Sequence, residues 1–316
     1  MLGLTTTSAL LVTVLASFPV VAQTQSGAAT VPGSSVSRTG GITVVFTVTG
    51  RHGEFVNDLK KEQIRILDDG KPPKELFGFQ AQTSTPVRLG LILDTSNSER
   101  DTLSDVKLAA DRFVRDVIRP DSDQGFVMAF DEVADLVQDF TSDAEKLSRG
   151  INNVVAGGGT AAWDAIYVAC RDRMANASHG LERLVIVFVT DGKDTMSKVT
   201  PDEALRMAQK SGVIVYYIDT DFNRDNLSYS PASQVQKLKL KTLADSTGGR
   251  AFFPNSKREL AKSFTLIQIE LNNQYSIGYQ PDGLSPDGKF RTIRIQLDPP
   301  NKHLKVRARE GYFARN

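Results

Sequence analysis

The sequence predicts an α/β fold, doubly wound around a mostly parallel six-stranded sheet and set between two β-strand segments at the chain ends. Two apolar runs, at 89–93 and 184–189, carry no charged or hydroxyl side chain until each stops near an acid, Asp94 and Asp191. Such runs suit central parallel strands covered by helices on both faces. Between residues 86 and 272, strand-like runs alternate with segments of helical period, the mark of a parallel sheet. Outside those limits the pattern is β-branched alternation broken by Gly, Pro and Asp.

The 316 residues include 38 Lys and Arg against 37 Asp and Glu, a formal net charge of +1. No global field would draw such a chain to nucleic acid or an anionic membrane. Cys170 is the single cysteine, which excludes an internal disulfide and a cysteine-built metal site. It reads as a small apolar residue buried in a helix. Residues 1–22 hold an apolar run at 9–16 and end on Val20-Val21-Ala22, the small-x-small pattern of a signal peptide. No Lys or Arg precedes the run, while its shortness and Pro19 speak against a membrane anchor. No cysteine follows that would mark a lipoprotein. Residues 23–41, rich in Ser, Thr, Gly and Ala, read as a flexible linker. The chain is therefore expected to be exported, periplasmic or secreted, with no membrane insertion once mature.

The segment 42–85 begins with the strand pattern I-T-V-V-F-T-V-T and continues with short strands at 55–59 and 63–67, with one helical turn at 60–63 between them. About forty residues cannot bury a core alone without staples. From residue 86 the elements are expected as a strand to Asp94, a helix over 99–118 closed by Pro120, strands at 124–130 and 133–140, and a helix over 143–151 capped by Ser142 or Asp143. A helix over 161–175 follows Gly157-Gly158-Gly159-Thr160. Then come the strand ending at Thr190-Asp191-Gly192, a helix over 201–211 with Thr200 as cap and Gly212 as stop, and a strand over 213–218. A polar loop at 219–230, a helix over 233–245, an edge strand at 250–253 and a helix over 257–271 complete this part. Residues 273–316 return to strands at 274–280, 289–298 and 303–309. Two end segments that each lack a core are most simply joined as one small β-sandwich.

The chemistry concentrates where the apolar strands stop. In Asp94-Thr95-Ser96-Asn97-Ser98, the alternate residues Asp94, Ser96 and Ser98 bring three oxygen-bearing side chains toward one point. Asp94 there suits a nucleophile, a cap, or a hard cation such as Mg²⁺, which requires oxygen ligands. If both central strands lie in one sheet, Asp94 and Asp191 share its carboxyl edge, where such folds bind ligands. The three glycines before Thr160 lack the Lys and Ser or Thr that end a phosphate-binding loop. They fit a turn of close backbone approach, compatible with Thr160 as an oxygen ligand.

Asp94-Thr95-Ser96-Asn97-Ser98, Thr160 after its glycines and Thr190-Asp191-Gly192 together resemble the three-loop metal-ion-dependent adhesion site of von Willebrand factor type A (VWFA) domains. The resemblance covers about residues 86–272. Asp69-Gly70-Lys71-Pro72, Gln274-Tyr275-Ser276-Ile277-Gly278-Tyr279 and Arg309-Glu310-Gly311-Tyr312-Phe313 are similar to the flanks of the bacterial exported VWFA-related family. It implies that Ser96 and Ser98 touch a Mg²⁺ ion directly, with Mn²⁺ or Ca²⁺ as alternatives. Thr160 would bind directly or through water, and Asp94 and Asp191 mostly through water. One octahedral position would stay open for an Asp or Glu carboxylate of a protein partner. Asn97 stands where related domains often have Gly, a place its tolerance of left-handed backbone suits. Glu99, which could compete within the chain for that open position, is expected simply to favour the positive helix end, Lys193 to offset some charge on Asp191, and Asp219 and Asp221 to be surface or loop-turn acids.

The expected function is an exported, metal-dependent adhesion or protein-binding module, not an enzyme. The alternative is a metal-dependent hydrolase or phosphotransferase using Asp94. Against it, Ser96 stands where a D-x-D-x-T phosphotransferase has its second acid. His52, His179 and His303 lie in no catalytic motif.

Overall fold

The computed structural model describes residues 41–81, 85–175, 182–222, 231–283 and 287–314. The expected signal peptide, 1–22, lies outside the described residues, as does the expected linker 23–41 apart from Gly41. The same holds for His179 and for residues 223–230 of the expected polar loop.

Three strands open the chain: β1 (Ile42–Thr49), β2 (Ile64–Asp68) and β3 (Glu75–Ala81). The run expected as a strand at 55–59 makes only an isolated bridge between Phe55 and Thr49. β3 was not expected from the sequence. Its register shifts against its neighbour around Gly78, and that bulge breaks the period of two by which strands are recognised.

The central sheet contains β4 (Val87–Asp94), β5 (Gln124–Phe130), β6 (Ala134–Thr141), β7 (Arg183–Thr190), β8 (Ile214–Asp219) and β9 (Ala251–Phe252). Their order is β6-β5-β4-β7-β8-β9, and β6 alone is antiparallel. Helices α1 (Leu103–Val117), α2 (Ala144–Asn153), α3 (Ala162–Val168), α4 (Pro201–Ser211), α5 (Pro231–Ser246) and α6 (Lys257–Asn272) cover it. Alternation along the strands divides the core in two. Leu89, Leu91, Leu93, Val185, Val187 and Val189 face α1, α2 and α6, whereas Ile92, Phe126, Ile186, Phe188 and Val215 face α3, α4 and α5. Helix ends follow the sequence signals: Asp143 accepts from Glu145 N and Lys146 N, Thr200 accepts from Glu203 N, and Gly212 stops α4 in the left-handed conformation. The expected helix over 161–175 is α3 continued by a π-helical turn at Ala169–Met174. Cys170 is fully buried in that turn, as expected, and burial pushes its thiol up to about 12.

β10 (Tyr275–Gln280), β11 (Phe290–Leu297), β12 (Lys305–Ala308) and β13 (Gly311–Phe313) close the chain. They join the opening strands in a four-stranded sheet, β12-β1-β10-β3, and a three-stranded sheet, β13-β11-β2. One cluster, including Val44, Phe46, Ile66, Tyr275, Ile277 and Ile293, draws on both sheets. Neither end segment could have built it alone. Inside it, the Asp68 carboxylate accepts from the Tyr279 hydroxyl at 2.8 Å and the Tyr312 hydroxyl at 2.9 Å, so its buried charge is not left without donors.

Buried polar groups join these sheets to the amino-terminal edge of the central sheet. Arg183, at the start of β7, donates to Leu271 O at 2.5 Å, Gln274 Oε1 at 2.9 Å and Thr85 O at 3.1 Å. Burial, helped by the Arg119 charge, lowers its guanidinium to about 10 against the opposing pull of Asp123. Glu270 of α6, 1% exposed, pairs with Arg307 of β12 at 2.5 Å and accepts from the Tyr216 hydroxyl at 2.8 Å. Among the described residues no helix is long and apolar enough to cross a membrane.

Asp123 pins the loop entering β5. Its carboxylate accepts from Val87 N at 2.8 Å and Arg119 N at 3.0 Å, and Arg119 grips both oxygens at 2.7 Å. Burial alone would raise this acid, but Arg119 and the two backbone donors outweigh it and hold the carboxyl below its ordinary range. A group lowered in this way stabilises above the unfolded value near 4 and loses that contribution as pH falls through its folded pKa. Asp123→Asn is therefore expected to cost about 2 kcal/mol at pH 7. The difference from wild type should be smaller at about pH 3, below the unfolded value, than at pH 7. Urea unfolding of both proteins at the two pH values checks this, and a penalty independent of pH would contradict it.

Candidate metal centre

Three loops at the carboxyl edge of the central sheet build the site. The strand order places β5 and β7 on opposite sides of β4, so the chain reverses direction across the sheet where Asp94 ends β4. That reversal leaves a crevice in open α/β sheets. Leu93 lies beside Val189 in the register, which brings Asp94 next to Thr190. The Thr190 hydroxyl donates to Asp94 Oδ2 at 2.5 Å, and Ser96 N donates to Asp94 Oδ1 at 2.8 Å. Both oxygens are thereby aimed before any ligand arrives. The Ser96 and Ser98 hydroxyls lie 3.1 Å apart, with Ser96 buried and Ser98 exposed.

The glycine loop is tied to the first loop by its backbone. Gly157 N donates to Thr95 O at 2.7 Å, and Asn97 N donates to Gly158 O at 3.2 Å. Gly158 has φ +71°, and a Cβ there would meet the Asp131 side chain at 2.8 Å, so this approach requires glycine. Thr160 is buried; its backbone N donates to Thr195 Oγ1 at 3.1 Å and its carbonyl accepts from Thr195 N and Met196 N. The loop after β7 also caps α3, with Asp194 Oδ1 accepting from Ala162 N at 2.9 Å and Ser197 Oγ accepting from Trp163 N at 3.0 Å. The second and third loops are thus one hydrogen-bonded unit. No sequence motif marked Asp194 or Ser197, because their partners are backbone groups about 32–34 residues away.

Glu99 corrects the sequence reading. It was expected at the start of a helix over 99–118, but Asn97–Glu99 forms a 3₁₀ turn and α1 begins only at Leu103. The turn carries Glu99 inward, to 1% exposure. Its carboxylate accepts from the Thr102 hydroxyl at 2.5 Å and from the Thr220 hydroxyl. One oxygen from each of Asp94, Glu99 and Asp191 lies within 4.8 Å of the others. Burial is the main cause of the raised values, about 6 for Asp94 and about 8 for Glu99, and the Asp94 charge adds to the rise at Glu99. The hydroxyl donors oppose both shifts without reversing them.

Asp191 accepts from Lys193 N at 3.0 Å and from Lys193 Nζ at 2.6 Å. Partial burial works to lower the Lys193 ammonium, but Asp191 holds it above the usual lysine range. Gly192, with φ +78°, makes the turn between them, and a Cβ there would lie 2.8 Å from Lys237 Cγ. Asp219, expected like Asp221 as a surface or loop-turn acid, is 1% exposed and accepts from Asp221 N at 3.1 Å, and Lys237 Nζ lies 2.9 Å from Asp219 and 3.2 Å from Asp221. Their counter-ion stands on α5, too far along the chain for spacing to reveal.

The donor set suits a hard divalent cation. It consists of carboxylates and hydroxyls, with no sulfur or imidazole among them, and it concentrates buried negative charge that otherwise stays partly protonated. Asp94, Ser96, Ser98 and Asp191 are the residues that would hold it, with Thr160 on the glycine loop tied to theirs.

The comparisons with known proteins agree with this architecture. The von Willebrand factor type A domain family matches residues 89–266, more than half of the chain. The chain belongs to that family. Among solved structures, a von Willebrand factor type A protein from Catenulispora acidiphila is similar, with 12% identity over 86% of this chain and 73% of that one, at a TM-score of 0.50. Proximal thread matrix protein 1 from the mussel byssus shares 17% identity over 64% of this chain, at a TM-score of 0.50, and the match spans 49% of that protein. An aerotolerance-related membrane protein from Bacteroides fragilis, with substitutions to serine, shares 17% identity over 58% of this chain and 99% of that one, at a TM-score of 0.46. Identities this low speak for the fold alone. No curated protein sequence matches the VWFA chain described here.

Proposed function

We propose that this VWFA protein is an exported binding module that holds Mg²⁺ at Asp94, Ser96, Ser98, Thr160 and Asp191 and engages an acidic side chain of a protein partner. One observation carries the reading: two aspartates from adjacent strand ends, with two serine hydroxyls beside them, converge at the sheet crevice. The bound cation supplies Lewis acidity toward an incoming carboxylate. Ser98 lies exposed at the mouth of the site, and Asp94, Ser96 and Asp191 lie beneath it. Carboxylates already oriented by Thr190, Ser96 N and Lys193 lose little freedom when the cation enters, which favours tight binding. Mg²⁺ heads the order on oxygen-ligand chemistry, with Mn²⁺ and Ca²⁺ following.

Use of Asp94 as a hydrolase or phosphotransferase nucleophile draws less support. Glu99 does bring a second acid beside Asp94, which motif spacing lacked, but it is 1% exposed and held by Thr102 and Thr220. A proton donor must reach the substrate, and this one is turned inward. His52 is exposed, and His303 lies 3.1 Å from Arg51 in the end strands.

Immobilised full-length protein, exposed to the native envelope and secreted fractions, tests the proposal. Partner capture is expected in 5 mM Mg²⁺ (roughly saturating for weak sites) and should vanish with chelator or with Asp94→Ala. Capture indifferent to both would overturn it.

A further inference from the structure

We infer that Glu99 is an additional carboxylate ligand of the cation, bound directly or through one water. The inference rests on the metal-centre reading above and extends it to a residue outside the aspartate and serine set.

Three observations carry it. Glu99 approaches from the protein interior, and its oxygen lies within 4.8 Å of oxygens of Asp94 and Asp191. Oxygens no further apart than this can be bridged by one cation with bonds of about 2.4 Å, or by a smaller ion with one intervening water. Next, each Glu99 oxygen accepts one hydroxyl hydrogen bond, from Thr102 or Thr220. A carboxylate has about four acceptor sites, so a lone pair remains on each oxygen for a cation. Hydroxyl donors of this kind orient a ligating carboxylate and restrict its motion. Finally, among the described residues the centre gathers more acids than bases. Lys193 pairs with Asp191, Lys237 is engaged with Asp219 and Asp221, and Asp94 and Glu99 have hydroxyl or backbone donors in place of an ammonium or guanidinium. Three carboxylates against one lysine would, once ionised, carry two uncompensated negative charges, the charge that one divalent cation offsets.

The consequence concerns affinity. Two aspartates and neutral hydroxyls leave a bound cation more electrophilic than three carboxylates do. A third carboxylate raises affinity, as added ligand charge does in other oxygen sites. Thr220 also connects Glu99 to the end of β8, a strand that lends no aspartate to the site.

Mn²⁺ is the probe, titrated calorimetrically and by electron paramagnetic resonance into the full chain at neutral pH without partner. Wild type is expected to take up one ion. Glu99→Gln, which preserves shape and acceptor, should weaken that uptake at least roughly tenfold while its circular dichroism stays that of wild type. Thr220→Val keeps the charge, removes one steering hydroxyl, and should weaken binding by a smaller factor. Affinity within twofold of wild type in Glu99→Gln overturns the inference. Should Glu99→Gln not fold, unchanged affinity in Thr220→Val overturns it instead. If Asp94→Ala loses Mn²⁺ and Glu99→Gln does not, the metal centre stands and only the role of Glu99 falls. If wild type takes up no Mn²⁺, both readings fall.

Discussion

Asp94→Ala is expected to abolish the stabilisation that Mg²⁺ or Mn²⁺ confers on the wild-type protein. A cation at a hundred times its dissociation constant stabilises the folded state by about 2.7 kcal/mol through linkage alone. For a domain of this size that corresponds to roughly 5–10 °C in melting temperature. Asp94 is the best placed residue to remove, because Ser96 N, Thr190 and the neighbouring carboxylates are all arranged around it. The double change Ser96→Ala with Ser98→Ala should have the same outcome by removing both hydroxyls. Each variant is compared with and without chelator, so any effect on the metal-free fold cancels. A melting temperature that ignores metal in wild type would remove the basis of the metal reading.

The second large effect lies at the opposite edge of the sheet. Glu270→Ala is expected to cost roughly 3–5 kcal/mol, the usual range when one member of a buried ion pair is deleted. The cost comes from what stays behind: Arg307 loses the carboxylate at 2.5 Å and the Tyr216 hydroxyl loses its acceptor at 2.8 Å. Burial already raises the Glu270 carboxyl, even against Arg307 and Tyr216, so desolvation outweighs what the pair returns. Replacing both charges with apolar groups, Glu270→Leu with Arg307→Met, should therefore cost much less than the single deletion. Urea unfolding of the three variants measures this. Equal losses for the single and double variants would show that the pair, and not the stranded charge, dominates.

The two sites also differ in how far the sequence foretold them. Asp94, Ser96, Ser98 and Asp191 stand out locally, because an apolar strand that stops at oxygen-bearing residues is unusual within a few positions. Thr190 was in plain sight beside Asp191, yet its bond to Asp94 depends on two strands 96 residues apart lying side by side. Glu99 was legible as a residue, but its favoured reading as a helix-end acid fails, since a helical period starting at 99 leaves no reason for a 3₁₀ turn that swings it inward. For Thr160, the fold places its loop against Thr95 and Asn97, as glycine-rich turns permit.

The sequence by itself determined the alternation of strands and helices, the central position of β4 and β7, and the need of the two end segments for each other. These follow from local periodicity and from the shortness of each end segment, which has no cysteine to staple it. Only the tertiary structure decided which acids share a space. It brought Glu99 to Asp94 and Asp191, gave Asp219 to Lys237, and buried Glu270 against Arg307. The physical reason is that charge in a folded protein answers to distance and burial, and neither is a property of spacing along the chain.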